Sequence, residues 1–247
     1  MSLEDRKLWG ETHRDQQGVS SNGTNGPIGS SRRGYLHTYP TGKALYALAD
    51  QGQYFTATNT TPGTGIDGIA AADGNSDLEN YFHLLNSDTA SGGKRIYLDY
   101  LIMRPTAAGT NGTTTEWVSK IDTTTRYTSG GSAITPVNPN ADSSNATIAT
   151  LRAGALVTTA ASAQKIVGHG MLRSVIKVIG DMYIYDFGAE SLPHFSNLST
   201  VGTAIAQIHV PHPPVILGPG HAWMFQINGA SQSVAASYEF QLGWWEM

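Results

Sequence analysis

The segment HAWMFQINGASQSVAASYEFQLGWWEM, residues 221–247, sets the fold class. Read as a strand, HAWMFQI puts Trp223, Phe225 and Ile227 on one face and Ala222, Met224 and Gln226 on the other. NGASQS then turns the chain. In SYEFQLGWWEM, Tyr238, Phe240, Leu242 and Trp244 line one face, opposite Ser237, Glu239, Gln241 and Gly243. A period of two with large apolar residues on one side marks antiparallel strands with one face in a core. Trp245 follows Trp244 and so points the other way. There it either anchors a subunit or partner interface or is covered by a loop or the N-terminal segment.

Strand signals extend outward from this segment back to Tyr35. KRIYLDYLIM (94–103) is β-branched and aromatic, with Ile96, Leu98, Tyr100 and Ile102 expected on one face and an end at Arg104-Pro105. MLRSVIKVI (171–179) and MYIYDF (182–187), joined by Gly180-Asp181, read as a hairpin. EWVSKI (116–121) is a short strand between two expected loops, 106–115 and the Gly-, Pro- and Asn-rich 129–145. Helical periodicity is weak: ALYALADQ (44–51) supports two turns at most, and SDLENYFHLL (76–85) a short helix running into a strand. There is no internal repeat. The expected class is all-β.

Composition agrees. The chain has 247 residues, 40% of them hydrophobic, which is enough for a core in one large sandwich. Only 14% are charged, against a usual share of about 25%. Ser, Thr, Asn and Gly must then supply the polar surface, and these suit strands and turns. A net charge of -4 without a long basic run points away from nucleic acid and from anionic membranes. The chain has no cysteine, hence no disulfide framework and no thiolate metal site. The first eighteen residues lack the apolar centre of a signal peptide, so synthesis in the cytoplasm is expected.

Residues 1–34 differ from the rest. After Trp9 almost nothing is apolar, so the segment cannot offset its own ordering entropy and reads as an extended arm, with a β domain over 35–247. Arg6, Lys7, Arg14, Arg32 and Arg33 nearly balance Glu4, Asp5, Glu11 and Asp15, a mixture suited to docking on another protein.

Several motifs touch on chemistry. His209, His212 and His221 stand near one another in sequence. However, a three-residue offset on a strand puts His209 and His212 on opposite faces, and no carboxylate follows until Glu239. They are expected to be turn and rim residues. GTGIDG (63–68) has the spacing of a dinucleotide loop but no helix after it. DGNSDLE (73–79) starts like a calcium loop, yet Leu78 and Leu84 occupy the positions that need Gly and Glu; the alternatives are a solvated turn or an irregular site with Asp67 or Glu79. GHG (168–170) reads as a bulge or turn around His169. No nucleophile elbow is present. The sequence implies no catalytic residue, no cofactor and no metal.

The ending PPVILGPGHAWMFQI … SYEFQLGWWEM resembles the closing strands of jelly-roll proteins in tailed-phage virions. The cysteine-free, Ser/Thr/Gly/Ala-rich composition with an N-terminal arm is similar to capsid decoration (cement) proteins. The resemblance implies an antiparallel jelly-roll β-sandwich, a homotrimer, and a structural role on the capsid exterior. Its partner there would be the major capsid protein, and no catalysis is implied. Trp9, Arg14, Arg32, Arg33 and Trp245 become the candidate capsid or subunit contacts, because aromatic and Arg side chains tend to anchor interfaces. The rival expectation is a receptor- or carbohydrate-binding module of a tail fibre or spike, gripping sugars through loops 106–115 and 129–145. Only Trp117 and Tyr127 lie near those loops to support it.

Overall fold

The computed structural model describes residues 29–30, 36–37, 44–68, 79–90, 92–107, 109, 115–158, 164–173, 179–188, 207–229 and 234–247. The chain divides into two compact units, Met1–Ala47 and Leu48–Met247. In the first, β1 (Gly29–Ser30) pairs antiparallel with β2 (Leu36–His37). Helix α1 (Ala44–Asp50) makes the two turns that ALYALADQ permits.

The second unit is an all-β sandwich. Its strands are β3 (Tyr54–Thr58), β4 (Ile66–Asp67), β5 (Glu79–Asn86), β6 (Ile96–Ala107), β7 (Thr115–Asp122), β8 (Tyr127–Ile134), β9 (Ala149–Thr158), β10 (Lys165–Arg173), β11 (Met182–Phe187), β12 (Gln207–His212), β13 (Ile216–Leu217), β14 (Ala222–Gly229) and β15 (Ser237–Glu246). One sheet has the order β10-β7-β14-β5-β9-β8; the other runs β12-β11-β6-β15-β3, with β13 beside β6 and β4 beside β15. Setting aside the β8–β9 hairpin, β12, and the short β4 and β13, the chain visits the rest as β3, β5, β6, β7, β10, β11, β14 and β15. In those terms the second sheet is ordered first-eighth-third-sixth and the first sheet second-seventh-fourth-fifth, all neighbours antiparallel.

Aromatic residues fill the space between the sheets. Phe225 on β14 stacks on Trp117 and meets Tyr185 edge-on at 5.0 Å, while Phe82 meets Phe240 edge-on at 4.7 Å. Each of these edge-on pairs bridges the two sheets. Trp223 is fully buried, and its Nε1–H donates to Ser119 Oγ at 2.8 Å, so its polar edge is not lost on burial. Tyr238, Phe240, Leu242 and Trp244 all lie in this core, on the face that their alternation assigns.

Four sequence expectations need correction. On β6 the inner residues are Ile96, Leu98, Leu101, Met103 and Pro105, while Tyr100 and Ile102 face outward. The cause is a bulge: Trp244 pairs with Leu98 and Gly243 with Tyr100, so Asp99 is an extra residue that reverses the alternation. Pro105 does not end this strand, which continues to Ala107. Its carbonyl accepts from Gly180 N–H where pairing with β11 has already stopped, so its missing N–H removes no bond to β15. The proposed hairpin of 171–179 with 182–187 does not form either. β10 ends at Arg173 and pairs with β7, whereas β11 pairs with β6 and β12 in the other sheet, so 171–173 and 182–187 are not partners; 174–178 lie outside the described residues. Finally, SGGSAI belongs to edge strand β8 rather than a loop, with Gly130 and Gly131 in the left-handed region at its bulges. A strand bent by bulges is a poor template for edge-to-edge pairing.

The loop after β8 is held in place by side chains. Asn138 and Asn145 donate to Gly52 O, Asn140 donates to Asp50 O, and Val137 pairs with Thr56. Its far end is pinned by Glu246, which is fully buried. The Glu246 carboxylate accepts from the Thr147 hydroxyl, from Ile148 N–H at 3.1 Å, and from Trp244 Nε1–H at 3.1 Å. Glu246→Ala strands these donors and should cost about 3 kcal/mol. Glu246→Gln, which keeps one acceptor oxygen, should cost less. A urea midpoint for Glu246→Ala equal to that of the unaltered protein would refute this role.

Candidate interface on the outer face of the second sheet

The second sheet turns the outward residues of β3, β15 and β6 into one surface. Cross-strand pairing sets rows on it: Tyr54–Trp245–Tyr97, then Thr56–Gly243–Tyr100, then Thr58–Gln241–Ile102, then Glu239–Arg104. Successive rows are two residues apart, so the strip from Trp245 to Glu239 is about 20 Å long.

Each row has its own chemistry. Trp245 and Tyr97 are half-buried and stack with ring centroids 5.6 Å apart and planes within 2°. In the next row a Cβ on Gly243 would lie 2.5 Å from both Tyr100 Cε1 and Tyr54 Oη, so only glycine admits the two rings. Tyr54 Oη–H donates to Asp99 Oδ2 at 2.6 Å, across the bulge. Burial and then Asp99 push the Tyr54 hydroxyl's pKa far up, which keeps it a proton donor. Burial raises the pKa of Asp99; Tyr54's hydrogen bond opposes this and the nearby Asp186 charge adds to it. Tyr100 is likewise raised by burial first and Asp99 second, with a hydrogen bond from Gln241 opposing.

Below these rows a cleft of about 280 Å³ opens between Thr58, Asn59, Pro62, Ile102, Arg104 and Gln241, with Glu239 and Phe240 on its wall. Glu239 is held on two sides: Arg104 Nη1 stands 3.7 Å away, and Gly63 N–H donates to its Oε1. Asn59 fixes the rim. Its Nδ2 donates to Tyr238 O, and its Oδ1 accepts from Phe240 N–H at 2.6 Å.

Of the residues singled out from sequence, Trp245 lies in this strip, outward as its parity requires. Trp9, Arg14, Arg32 and Arg33 lie outside the described residues, as do 73–78 of the calcium-like stretch and most of the 106–115 loop. Trp117 is not a surface aromatic: it is 4% exposed and packs on Phe225, while Tyr127 is half-buried with the Arg152 guanidinium 4.3 Å from its ring centre. The histidines do not converge. His209 is exposed on β12, His212 is buried between Trp117 and Phe187, and His221 lies at the turn before β14. The Trp117 indole covers Gly168 and Gly170 on either side of His169, so a Cβ would come within 3.1 Å of it at the first and 2.9 Å at the second; a bulge falls just before them, between Ile166 and Gly168. Within GTGIDG, Ile66 and Asp67 form β4.

Sequence reading missed Tyr54, Asp99, Arg104, Glu239 and Gln241. The available signal was Gly243, a glycine inside an aromatic strand, which implies a close approach by neighbouring groups. No family model, no curated protein and no solved structure matches the chain.

The outer face of the other sheet is different in kind. β14 is buried on both sides, so Ala222, Met224 and Gln226 are as enclosed as the core face. The polar groups there are paired: Lys120 Nζ donates to Gln226 at 3.2 Å, and Arg126 Nε donates to Asp122 at 2.8 Å. His83 is 2% exposed, with Thr125 Oγ1 3.5 Å from its Nε2. Burial lowers its pKa from 6.5 to about 4, a backbone hydrogen bond works against this, and the Arg152 charge lowers it further.

Two predictions follow from this geometry. Gly243→Ala should destabilise the fold by about 1–3 kcal/mol through the Tyr54 and Tyr100 clash; unchanged thermal stability would contradict the packing. His83 is neutral in the fold and takes up a proton on unfolding below pH 6.5. Its contribution is therefore fully present above pH 6.5 and lost as pH falls toward 4, on the order of 3 kcal/mol in all. His83→Gln should flatten that part of the stability-versus-pH curve, and parallel curves for the two proteins would rule it out.

Proposed function

We propose that this chain is a structural, non-catalytic virion protein: a decoration subunit that binds the outside of a tailed-phage capsid as a homotrimer. The observation that carries the reading is the strand order. First-eighth-third-sixth facing second-seventh-fourth-fifth is the order expected of a jelly roll, whose eight strands form two Greek keys. The closing strands β14 and β15, which carry the resemblance to virion jelly rolls, occupy central positions in the two sheets. Fold alone does not imply function, and the arm composition supplies the rest of the argument.

In this reading the partner is the major capsid protein, with contacts from Trp9, Arg14, Arg32 and Arg33 in the arm and Trp245 on the sheet. The protein is made in the host cytoplasm and ends on the capsid exterior. It engages neither nucleic acid nor membrane and uses no cofactor. Binding to the assembled shell and not to free subunits stabilises the lattice by mass action.

The test is co-sedimentation of purified protein with undecorated phage shells. Full-length protein should pellet with shells. Trp9→Ala and a chain lacking residues 1–34 should stay in the supernatant while keeping their β circular dichroism. Pelleting of the truncated chain at full strength would defeat the arm's role, and failure of the full-length chain would defeat the decoration reading.

A further inference from the structure

Apart from Trp245, which the decoration reading also uses, the outer strip of the second sheet has the make-up of a ligand site that the decoration role does not require. We propose that it binds a neutral oligosaccharide lying along β6 and β15, with one sugar ring in the Arg104–Glu239 cleft and another on the Trp245–Tyr97 shelf.

The cleft's volume, about 280 Å³, is at the small end of ligand pockets, which start at roughly 300 Å³. It suits one ring of a longer chain better than a nucleotide or a folded peptide element. Its charge balance selects the ligand class. Arg104 and Glu239 already face each other at 3.7 Å, so an anion at Arg104 would have to displace or lie against the Glu239 carboxylate, and a cation at Glu239 would have to displace or lie against the Arg104 guanidinium. A neutral polyol displaces neither. Vicinal hydroxyls can donate to the carboxylate and accept from the guanidinium, with the Gln241 amide and Thr58 hydroxyl beside them. Ile102 offers an apolar patch for the C–H face of the ring.

At the other end, the Trp245–Tyr97 pair presents aromatic surface with little rotamer freedom to lose. The strip between, about 20 Å in all, is long enough for a short chain of rings. It is also set in advance. Gly63 and Arg104 hold Glu239, and the Tyr54–Asp99 bond and the Gly243 notch fix the middle row. Side chains ordered before binding reduce the entropy lost on binding.

Saturation-transfer NMR of the full chain tests this with hexasaccharides of α- and β-linked glucose, N-acetylglucosamine, mannose and galactose at millimolar concentration, alongside a sulfated hexasaccharide. At least one neutral chain should saturate with Kd below about 1 mM. Trp245→Ala and Arg104→Ala should each weaken it at least tenfold, while Ile166→Ala, on the other sheet, leaves it unchanged. Circular dichroism checks folding, and if Trp245→Ala does not fold, Arg104→Ala and Gln241→Ala decide. Saturation by no neutral chain overturns the proposal. So does preference for the sulfated chain, or binding that the cleft variants leave at full strength. Shell co-sedimentation is a separate measurement, so either reading can fail without the other.

Discussion

Phe225 sits where the two sheets meet, against Trp117 and Trp223 on its own sheet and Tyr185 on the other, and the sandwich is organised around that contact. Phe82 continues the aromatic layer to Phe240 on β15, and Phe187 continues it from Trp223 into β11. Aromatic pairs of this kind contribute about 0.5–1.5 kcal/mol each beyond the area they bury. Because β14 and β15 both lie inside their sheets, the last strands of the chain close a core that earlier strands cannot complete. Most pairings therefore link residues distant in sequence, a topology that folds slowly compared with one made of local contacts.

With the inner faces committed to the core, the two outer faces diverge. The centre of the first sheet's outer face, around β14, is enclosed and handles its polar groups by pairing them, as Lys120 does with Gln226 and Asp122 with Arg126, while flanking residues such as Ile166 and His169 are exposed. Burying charge in this way is costly unless each group is satisfied. The second sheet's outer face keeps its aromatic and polar groups half-exposed, and the Asp99 bulge is the reason. If Asp99 took a regular place in the ladder instead of being bulged out, Tyr100, Ile102 and Arg104 would turn inward and Leu101 and Met103 outward, leaving the core without much of its β6 contribution. One bulge thus serves both the core and the strip.

The two proposed roles, decoration and sugar binding, are compatible in one chain. The first is assigned chiefly to residues 1–34, while the strip of the second belongs to β3, β6 and β15. A protein anchored by its N-terminal segment can present a rigid sheet face elsewhere, and sites built on strands hold their geometry better than sites on loops. The proposed sugar site lies on the sheet, whereas the rival expectation drawn from sequence placed such chemistry on loops 106–115 and 129–145. The Asn-rich part of 129–145 is engaged in tying down Asp50, Gln51 and Gly52.

Local pattern determined what is local. The period-two alternation of 222–227 and 238–244, low charge and scarce helical spacing were enough to identify an all-β chain, the inner residues of β15 and the outward Trp245, because side-chain parity is a property of the strand itself. Parity fails where the backbone inserts a residue, and nothing in KRIYLDYLIM announces that Asp99 is extra; the bulge exists only opposite Gly243 and Trp244 of a strand some 140 residues away. For the same reason 171–187 resembled a hairpin: short-range turn chemistry at Gly180 does not reveal that the chain is changing sheets. The enclosure of Gln226 and His83, the clasp at Glu246 and the Arg104–Glu239 cleft likewise depend on which strands become neighbours. That choice rests on long-range packing around Phe225, and so it was decided by the tertiary structure alone.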